Sequence, residues 1–224
     1  LLRGATISGR VTNAETGLPV ADIRIDTENA DCHGYRPEAW TDAQGRYALQ
    51  GLAPGDYRIR AATDERGYIL QYFGDTLECK ESDLVTLYGS ESAEGIDFAL
   101  RSGATISGRV FDAETGLPIP NIRIRADSIF DEPGADGDTD ADGRFELRGI
   151  APGTYKIRAE GERKGYIRTF YDSKLEWDNG DLVTVSGRSS VEGIDFALKR
   201  GASASGRVIC KRRRDNVPPG RVKR

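Results

Sequence analysis

Methionine is absent from the 224 residues, histidine occurs once, at His33, and cysteine only three times. A single imidazole excludes a catalytic His pair and a multi-histidine metal site. No apolar run approaches the ~20 residues that a spanning helix needs, so no membrane insertion is expected within this chain. A G-x-S-x-G elbow, a phosphate-binding glycine loop and a C-x-x-C pair are also missing. The chain begins at Leu1 without a signal-peptide pattern and reads as a piece of a longer polypeptide. No cofactor is expected.

What the sequence has in quantity is glycine, 27 residues, and charge, 30% of the chain. The net charge of −4 is uneven. Residues 201–224 carry +7 and residues 1–200 carry −11. An acidic body repels phosphate, so nucleic acid is not expected as a partner. The basic cluster Lys211, Arg212, Arg213 and Arg214 reads as a solvated face.

The chain repeats itself. Gly4-Ala5-Thr6-Ile7-Ser8-Gly9-Arg10-Val11 recurs unchanged from Gly103 to Val110, and in weakened form from Gly201 to Val208. Gly51-Leu52-Ala53-Pro54-Gly55 matches Gly149-Ile150-Ala151-Pro152-Gly153, and Gly95-Ile96-Asp97-Phe98-Ala99-Leu100 matches Gly193 to Leu198. A period near 100 is too long for a solenoid unit and fits a whole domain in tandem. The expected organisation is one repeat over 3–101, a second over 102–200, and the frayed start of a third over 201–224.

Alternation dominates within each repeat. Ile23 and Ile25, Tyr47 and Leu49, Tyr57, Ile59 and Ala61, and Ile96, Phe98 and Leu100 are spaced by two, and so are their counterparts Ile122 and Ile124, Phe145 and Leu147, Tyr155, Ile157 and Ala159, and Ile194, Phe196 and Leu198. Strands with one apolar face predict an all-β fold of antiparallel sheets, about seven strands per repeat in two layers. Glu15-Thr16-Gly17 reads as a hairpin loop, and Ala53-Pro54-Gly55 and Ala151-Pro152-Gly153 as type II turns with glycine at the third position. A two-residue join at Arg101-Ser102 predicts a stiff, monomeric rod of end-to-end sandwiches.

These blocks, with Thr41-Asp42-Ala43-Gln44-Gly45-Arg46-Tyr47 and Thr139-Asp140-Ala141-Asp142-Gly143-Arg144-Phe145, resemble carboxypeptidase regulatory-like domains over nearly the full length of both repeats. The resemblance implies a transthyretin-like (prealbumin-like) Greek-key β-sandwich, grouped with starch-binding-like, carbohydrate-binding folds. It implies modules strung on secreted or surface bacterial proteins, non-catalytic even where they adjoin a zinc peptidase domain.

Candidate sites follow. Sugars stack on flat rings, which makes Tyr72, Phe73, Phe170 and Tyr171, with Trp40 and Trp177, the carbohydrate-binding candidates. The competing expectation is core packing, because period two puts Tyr72 and Phe73 on opposite faces and one face must be core. Asp138, Asp140 and Asp142 resemble the opening of a calcium loop, but Gly149 stands where the bidentate Glu belongs. Asp131, Glu132 and Asp136 add charge nearby. Cys32 and Cys79 are the candidate disulfide of a secreted first repeat, subject to a Cα spacing that sequence does not set. Cys210 has no visible partner. A Lys–Asn isopeptide crosslink, known from related surface domains, is excluded because the first strands carry Arg10 and Arg109, which stay protonated.

The functional expectation is a non-catalytic spacer or interaction stalk of an exported, cell-surface or periplasmic protein, with another surface protein or a polysaccharide as partner. The alternatives are a carbohydrate-binding module and an accessory region of a peptidase or glycosidase whose catalytic domain lies elsewhere.

Overall fold

The computed structural model describes residues 4–33, 37–62, 66–130 and 133–202. The expected third repeat, Cys210, Lys211–Arg214, Asp131 and Glu132 therefore lie outside the described residues. The first repeat runs through β1 (Ala5–Asn13), β2 (Arg24–Asn29), β3 (Glu38–Trp40), β4 (Arg46–Leu52), β5 (Gly55–Ala62), β6 (Gln71–Tyr72), β7 (Leu84–Leu87), β8 (Ser92–Ala93) and β9 (Phe98–Leu100). The second contributes β10 (Ala104–Asp112), β11 (Arg123–Ser128), β12 (Ala135–Asp138), β13 (Arg144–Ile150), β14 (Gly153–Glu160), β15 (Thr169–Phe170), β16 (Leu182–Val185) and β17 (Phe196–Leu198).

Each repeat is a two-layer sandwich. One layer of the first has β4 and β8/β9 flanking β1, and the other runs β3-β2-β5 with β6 and β7 both along β5. The second repeat copies this as β13-β10-β17 against β12-β11-β14 with β15 and β16. Interrupted edge strands mean that nine segments fill seven lanes in the first repeat and eight fill them in the second. The alternating apolar residues meet between the layers, Ile7, Ile25, Leu49, Ile59, Phe98 and Leu100 in one core and Ile106, Ile124, Leu147, Ile157, Phe196 and Leu198 in the other.

One expectation needs correction. The last strand is parallel to the first, Val11 opposite Phe98 and Val110 opposite Phe196. The chain crosses from the second layer after β7 and reaches the free edge of β1 running in the same direction. Alternation reports which face is buried and is blind to strand direction.

That return explains the first and last sequence blocks together. Between β8 and β9 the chain lies against Gly9, where a Cβ would stand 2.0 Å from the Ile96 carbonyl oxygen. The Ile96 amide donates to Ser8 O at 3.1 Å, and the Arg10 amide, left without a strand partner, donates to the Asp97 carboxylate at 2.7 Å. Gly108, Ile194, Asp195 and Arg109 repeat the arrangement, with Arg109 N to Asp195 at 2.8 Å.

The Thr-Asp-Ala-x-Gly-Arg block is a second tie. Thr41 is buried, and its Oγ1 accepts from Ile23 N at 2.9 Å while donating to Val20 O at 2.8 Å. Asp42 accepts the amides of Gln44 and Arg46, and the Arg46 amide and guanidinium hold its carboxyl below the usual range. Thr139 makes the same two hydrogen bonds in the second repeat, and Asp140 accepts the amides of Asp142 and Arg144. Thr139→Val keeps the shape but strands a buried amide and carbonyl, which predicts a loss of about 2–3 kcal/mol. Urea unfolding followed on the second repeat measures it.

The Pro-Gly turns differ from expectation. The glycine near φ 75° is the first of each block, Gly51 at 75° and Gly149 at 72°, while Gly55 lies at 153° and Gly153 is not at positive φ. These turns arch from one layer to the other instead of joining paired strands, which removes the need for a type II hairpin.

Candidate functional site

The six candidate aromatics do not form one exposed platform. Tyr72 and Phe170 are buried. Phe73 packs edge-on against Phe98 at 6.3 Å, and Tyr171 against Phe196 at 6.3 Å. Both faces are covered because residues 73–83 and 171–181 fold back over the outer side of their sheets, so core packing claims one ring of each pair and this roof the other. Trp177 stands edge-on to Phe170 at 5.8 Å with Lys156 Nζ 4.8 Å above its ring. Trp40, on the outermost strand, is 58% exposed.

Under the roof of the first repeat lies a buried polar cluster. Asp26 and Glu28 sit on the outer side of β2, both nearly sealed from solvent. Arg60, opposite on β5, grips Asp26 through two bonds of 2.9 and 2.7 Å and reaches Glu28 at 3.4 Å. Such a pair tolerates burial because both charges are partnered. Arg58 donates to Ala30 O at 3.0 Å and to Ser82 Oγ at 3.1 Å, tying the roof down. Burial raises the Tyr72 phenol above its ordinary range.

The roof is also pinned covalently. Cys32 and Cys79 form a disulfide, with sulfurs 2.07 Å apart and Cα atoms 6.0 Å apart. Glu28 Oε2 lies 3.3 Å from Cys79 Sγ. A bonded sulfur has no proton to donate, so this is a packing contact. Glu28, Cys32 and Cys79 are the only three metal-type ligands that converge among the described residues, and the disulfide removes both thiolates.

The second repeat closes its roof with different chemistry. Trp177 occupies the position equivalent to Cys79, Lys156 that of Arg58, and Phe170 that of Tyr72. Lys156 donates to the Trp177 carbonyl and lies against its ring, while Arg158 pairs with Asp127 at 2.8 Å and Glu160 at 2.9 Å. An apolar stack does in one repeat what the disulfide does in the other.

The candidate calcium residues do not converge. Asp140 accepts the amides of Asp142 and Arg144 within its own turn, and Asp138 pairs with Arg123 at 3.2 Å. Their oxygens do not form a three-ligand cluster among the described residues.

A third feature, the surface on which the two-residue join rests, had no recognised signal in the sequence. The chain leaves the first repeat beside Gly67-Tyr68-Ile69. Ile69 N donates to Arg101 O at 2.9 Å, Gly103 N donates to Gly67 O at 2.8 Å, and Tyr68 bridges Ser102. The arch of the second repeat then meets this edge, so closely that a Cβ on Gly149 would stand 2.3 Å from Tyr68 O. Glu15 and Arg188 pair across the junction. Beside it lies a cleft of about 650 Å³, lined by Ile69 and Leu70 on one side and by Arg123, Asp136, Glu146 and Arg148 on the other. Its charges are already paired, Arg123 with Asp136 and Asp138, and Arg148 with Glu146. The recurrence of Gly-Tyr-Ile at 165–167 was the available clue, but a three-residue match outside any alternating run says nothing about what it touches.

In the core of the first repeat, the buried Thr27 hydroxyl meets no hydrogen-bond partner among the described residues. Ala126 holds the equivalent place in the second repeat. Thr27→Val is expected to stabilise the first repeat by about 1–2 kcal/mol, since an unsatisfied buried hydroxyl carries its full desolvation penalty. A shift in its denaturation midpoint reads this directly.

This architecture is that of paired β-sandwich modules in which the buried charges of the first roof are already paired. The carboxypeptidase regulatory-like domain family matches residues 6–70 and 105–198, and the chain belongs to that family. A stretch of 58 residues is 36% identical to the TonB-dependent transporter Oar of Myxococcus xanthus, covering 26% of this chain and 5% of the transporter. The chain thus matches only about a twentieth of that relative. Among solved structures, the minor pilin of Streptococcus agalactiae is 13% identical with a TM-score of 0.38, covering 92% of this chain and all of that one. The Bacillus anthracis TIE protein is 14% identical with a TM-score of 0.35, covering 89% of this chain and 34% of the other. Likeness at this level carries nothing about ligand or assembly. Among the described residues, no helix is long and apolar enough to cross a membrane.

Proposed function

We propose that the chain is a non-catalytic spacer within an exported bacterial protein, holding other parts of that protein apart at the cell surface or in the periplasm and meeting other surface proteins. The observation that carries this reading is the joint. The two hydrogen bonds of the Tyr68–Ser102 strand bridge and the close seating of Gly149 on Tyr68 leave the two-residue link no slack. The disulfide supports an oxidising compartment. Buried charges that are already paired, and a single exposed histidine, offer no nucleophile–base couple. Amide-nitrogen relaxation tests the reading. Both repeats are expected to share one rotational correlation time. Two independent, shorter times would overturn it.

Trp40 favours a second reading, carbohydrate binding, because its ring alone among the six candidates is more than half exposed. Retention on insoluble polysaccharides, lost in Trp40→Ala with folding intact, would support it. Substituting Tyr72 or Tyr171 would report on packing instead.

A further inference from the structure

The disulfide of the first roof conceals a second chemistry. One ligand atom each from Glu28, Cys32 and Cys79 lies within 4.8 Å of the other two. Glu28 ends its run on β2, Cys32 lies in the turn that follows, and Cys79 belongs to the roof. Glu28 is buried, whereas both cysteines are half-buried. The sulfurs therefore stand on the side from which a reductant or an ion arrives, and the carboxylate closes the inner side.

The carboxylate is already oriented. Glu28 Oε1 lies 3.4 Å from the Arg60 guanidinium, and Oε2 lies 3.3 Å from Cys79 Sγ. Arg60 is itself held by the two bonds to Asp26. One oxygen gripped from behind and the other turned to sulfur is how a supporting shell sets a ligating carboxylate. In a tetrahedral zinc site the bond lengths put two sulfurs about 3.7 Å apart, and a sulfur and an oxygen about 3.6 Å apart. Glu28 and Cys79 are near that spacing before any movement. The two cysteine Cα atoms, 6.0 Å apart, leave room for unbonded sulfurs at about 3.7 Å. Charge balances as well. Zn²⁺ and two thiolates sum to zero, so exchanging the covalent bond for the ion leaves Asp26, Glu28 and Arg60 with the net charge they already carry.

We propose that the reduced roof of the first repeat is a zinc site, with Cys32, Cys79 and Glu28 as ligands and a fourth position open to water. A dithiol reductant gives two electrons to the disulfide and becomes a disulfide itself, and each freed sulfur takes one proton. Zn²⁺ then binds both sulfurs and releases those two protons to solvent. The thiolate pair selects zinc over magnesium or calcium. Ion and covalent bond are alternative pins for one roof, the first under reducing and the second under oxidising conditions. The site stands whether or not the chain is a spacer. The second repeat has no cysteine within 102–200 and serves as the internal control.

Co²⁺ and Zn²⁺ test this on the full chain in a Cys210→Ser background, reduced with a phosphine that is then removed under argon. The reduced protein is expected to bind one Co²⁺ with sulfur-to-metal charge-transfer absorption, and the oxidised protein none. Glu28→Gln should weaken binding at least about tenfold. Zn²⁺ should raise the urea midpoint of the reduced first repeat, reported by Trp40 in a Trp177→Phe background, and leave that of the second in place. This shift is read on the unmutated roof, so it decides even where Glu28→Gln does not fold. Absence of charge-transfer absorption in the reduced chain overturns the proposal. So does Co²⁺ binding of equal strength in a folded Glu28→Gln, or bound zinc that leaves the first transition unmoved, since the ion then sits on a dithiol outside the folded roof.

Discussion

Gly9→Ala is expected to unfold the first repeat while leaving the second folded. The new Cβ would stand 2.0 Å from the Ile96 carbonyl oxygen, backbone against backbone, with no flexible side chain to move aside. Relief requires β1 and the returning strand to separate. That strand supplies Phe98 and Leu100, both fully buried, each of which stabilises the core by about 1.5–3 kcal/mol. It also brings the carboxylate that satisfies the Arg10 amide and the carbonyl that accepts the Tyr47 hydroxyl at 2.6 Å. The combined loss is about 4 kcal/mol or more, close to the whole stability of a domain of this size. Asp97→Ala removes one acceptor at an exposed position and should cost only about 1 kcal/mol. Each repeat holds one tryptophan, so Trp177→Phe leaves Trp40 to report the first repeat and Trp40→Phe leaves Trp177 to report the second. Equal stability of Gly9→Ala and Asp97→Ala in urea would defeat this account of the sequence blocks. Gly108→Ala, with the same 2.0 Å clash against Ile194 O, should reverse the roles of the two repeats.

The same comparison shows what sequence could convey here. The core was legible because burial in a sandwich has period two, and Ile25, Leu49, Ile59 and Phe98 declare it strand by strand. The parallel return of β9 was not, because an alternating strand looks the same in either direction. Turn chemistry was legible in part. Asp42 and Asp140 cap their turns as the sequence leads one to expect, but the arching glycines proved to be Gly51 and Gly149, since the strands on either side belong to different layers. Tyr72 and Phe73 point to opposite faces as their spacing requires. What sequence withheld was that the segment directly following them, residues 73–83, folds back and covers the outer face as well. The joint was the least legible feature. It rests on backbone hydrogen bonds at Gly67 and Gly103, which any side-chain pattern leaves unseen.

The roof gives the second large effect, because the two repeats close it by unrelated means. The disulfide links residues 47 apart in sequence, and the chain-entropy relation assigns a loop of that length about 4 kcal/mol. Removing it therefore costs the first repeat about 2–4 kcal/mol. The second has no cysteine within 102–200 and should not respond. The loss is more than entropic. Once the roof lifts, Asp26, Glu28 and Arg60 meet water, and the geometry that keeps them paired depends on β6 and on Ser82, which Arg58 holds. Dithiothreitol, or the Cys32→Ala/Cys79→Ala pair, is expected to lower the urea midpoint reported by Trp40 and to leave that reported by Trp177 in place. Equal shifts in both repeats would mean that the roof is not the element being stabilised. An unmoved first transition would mean that Arg58 and the ion pairs hold it without the covalent bond. The reciprocal substitution, Trp177→Ala, removes the ring from Lys156 and Phe170 and should weaken only the second repeat, by the roughly 3–5 kcal/mol typical of deleting a large packed ring or somewhat less, since Trp177 is 40% exposed.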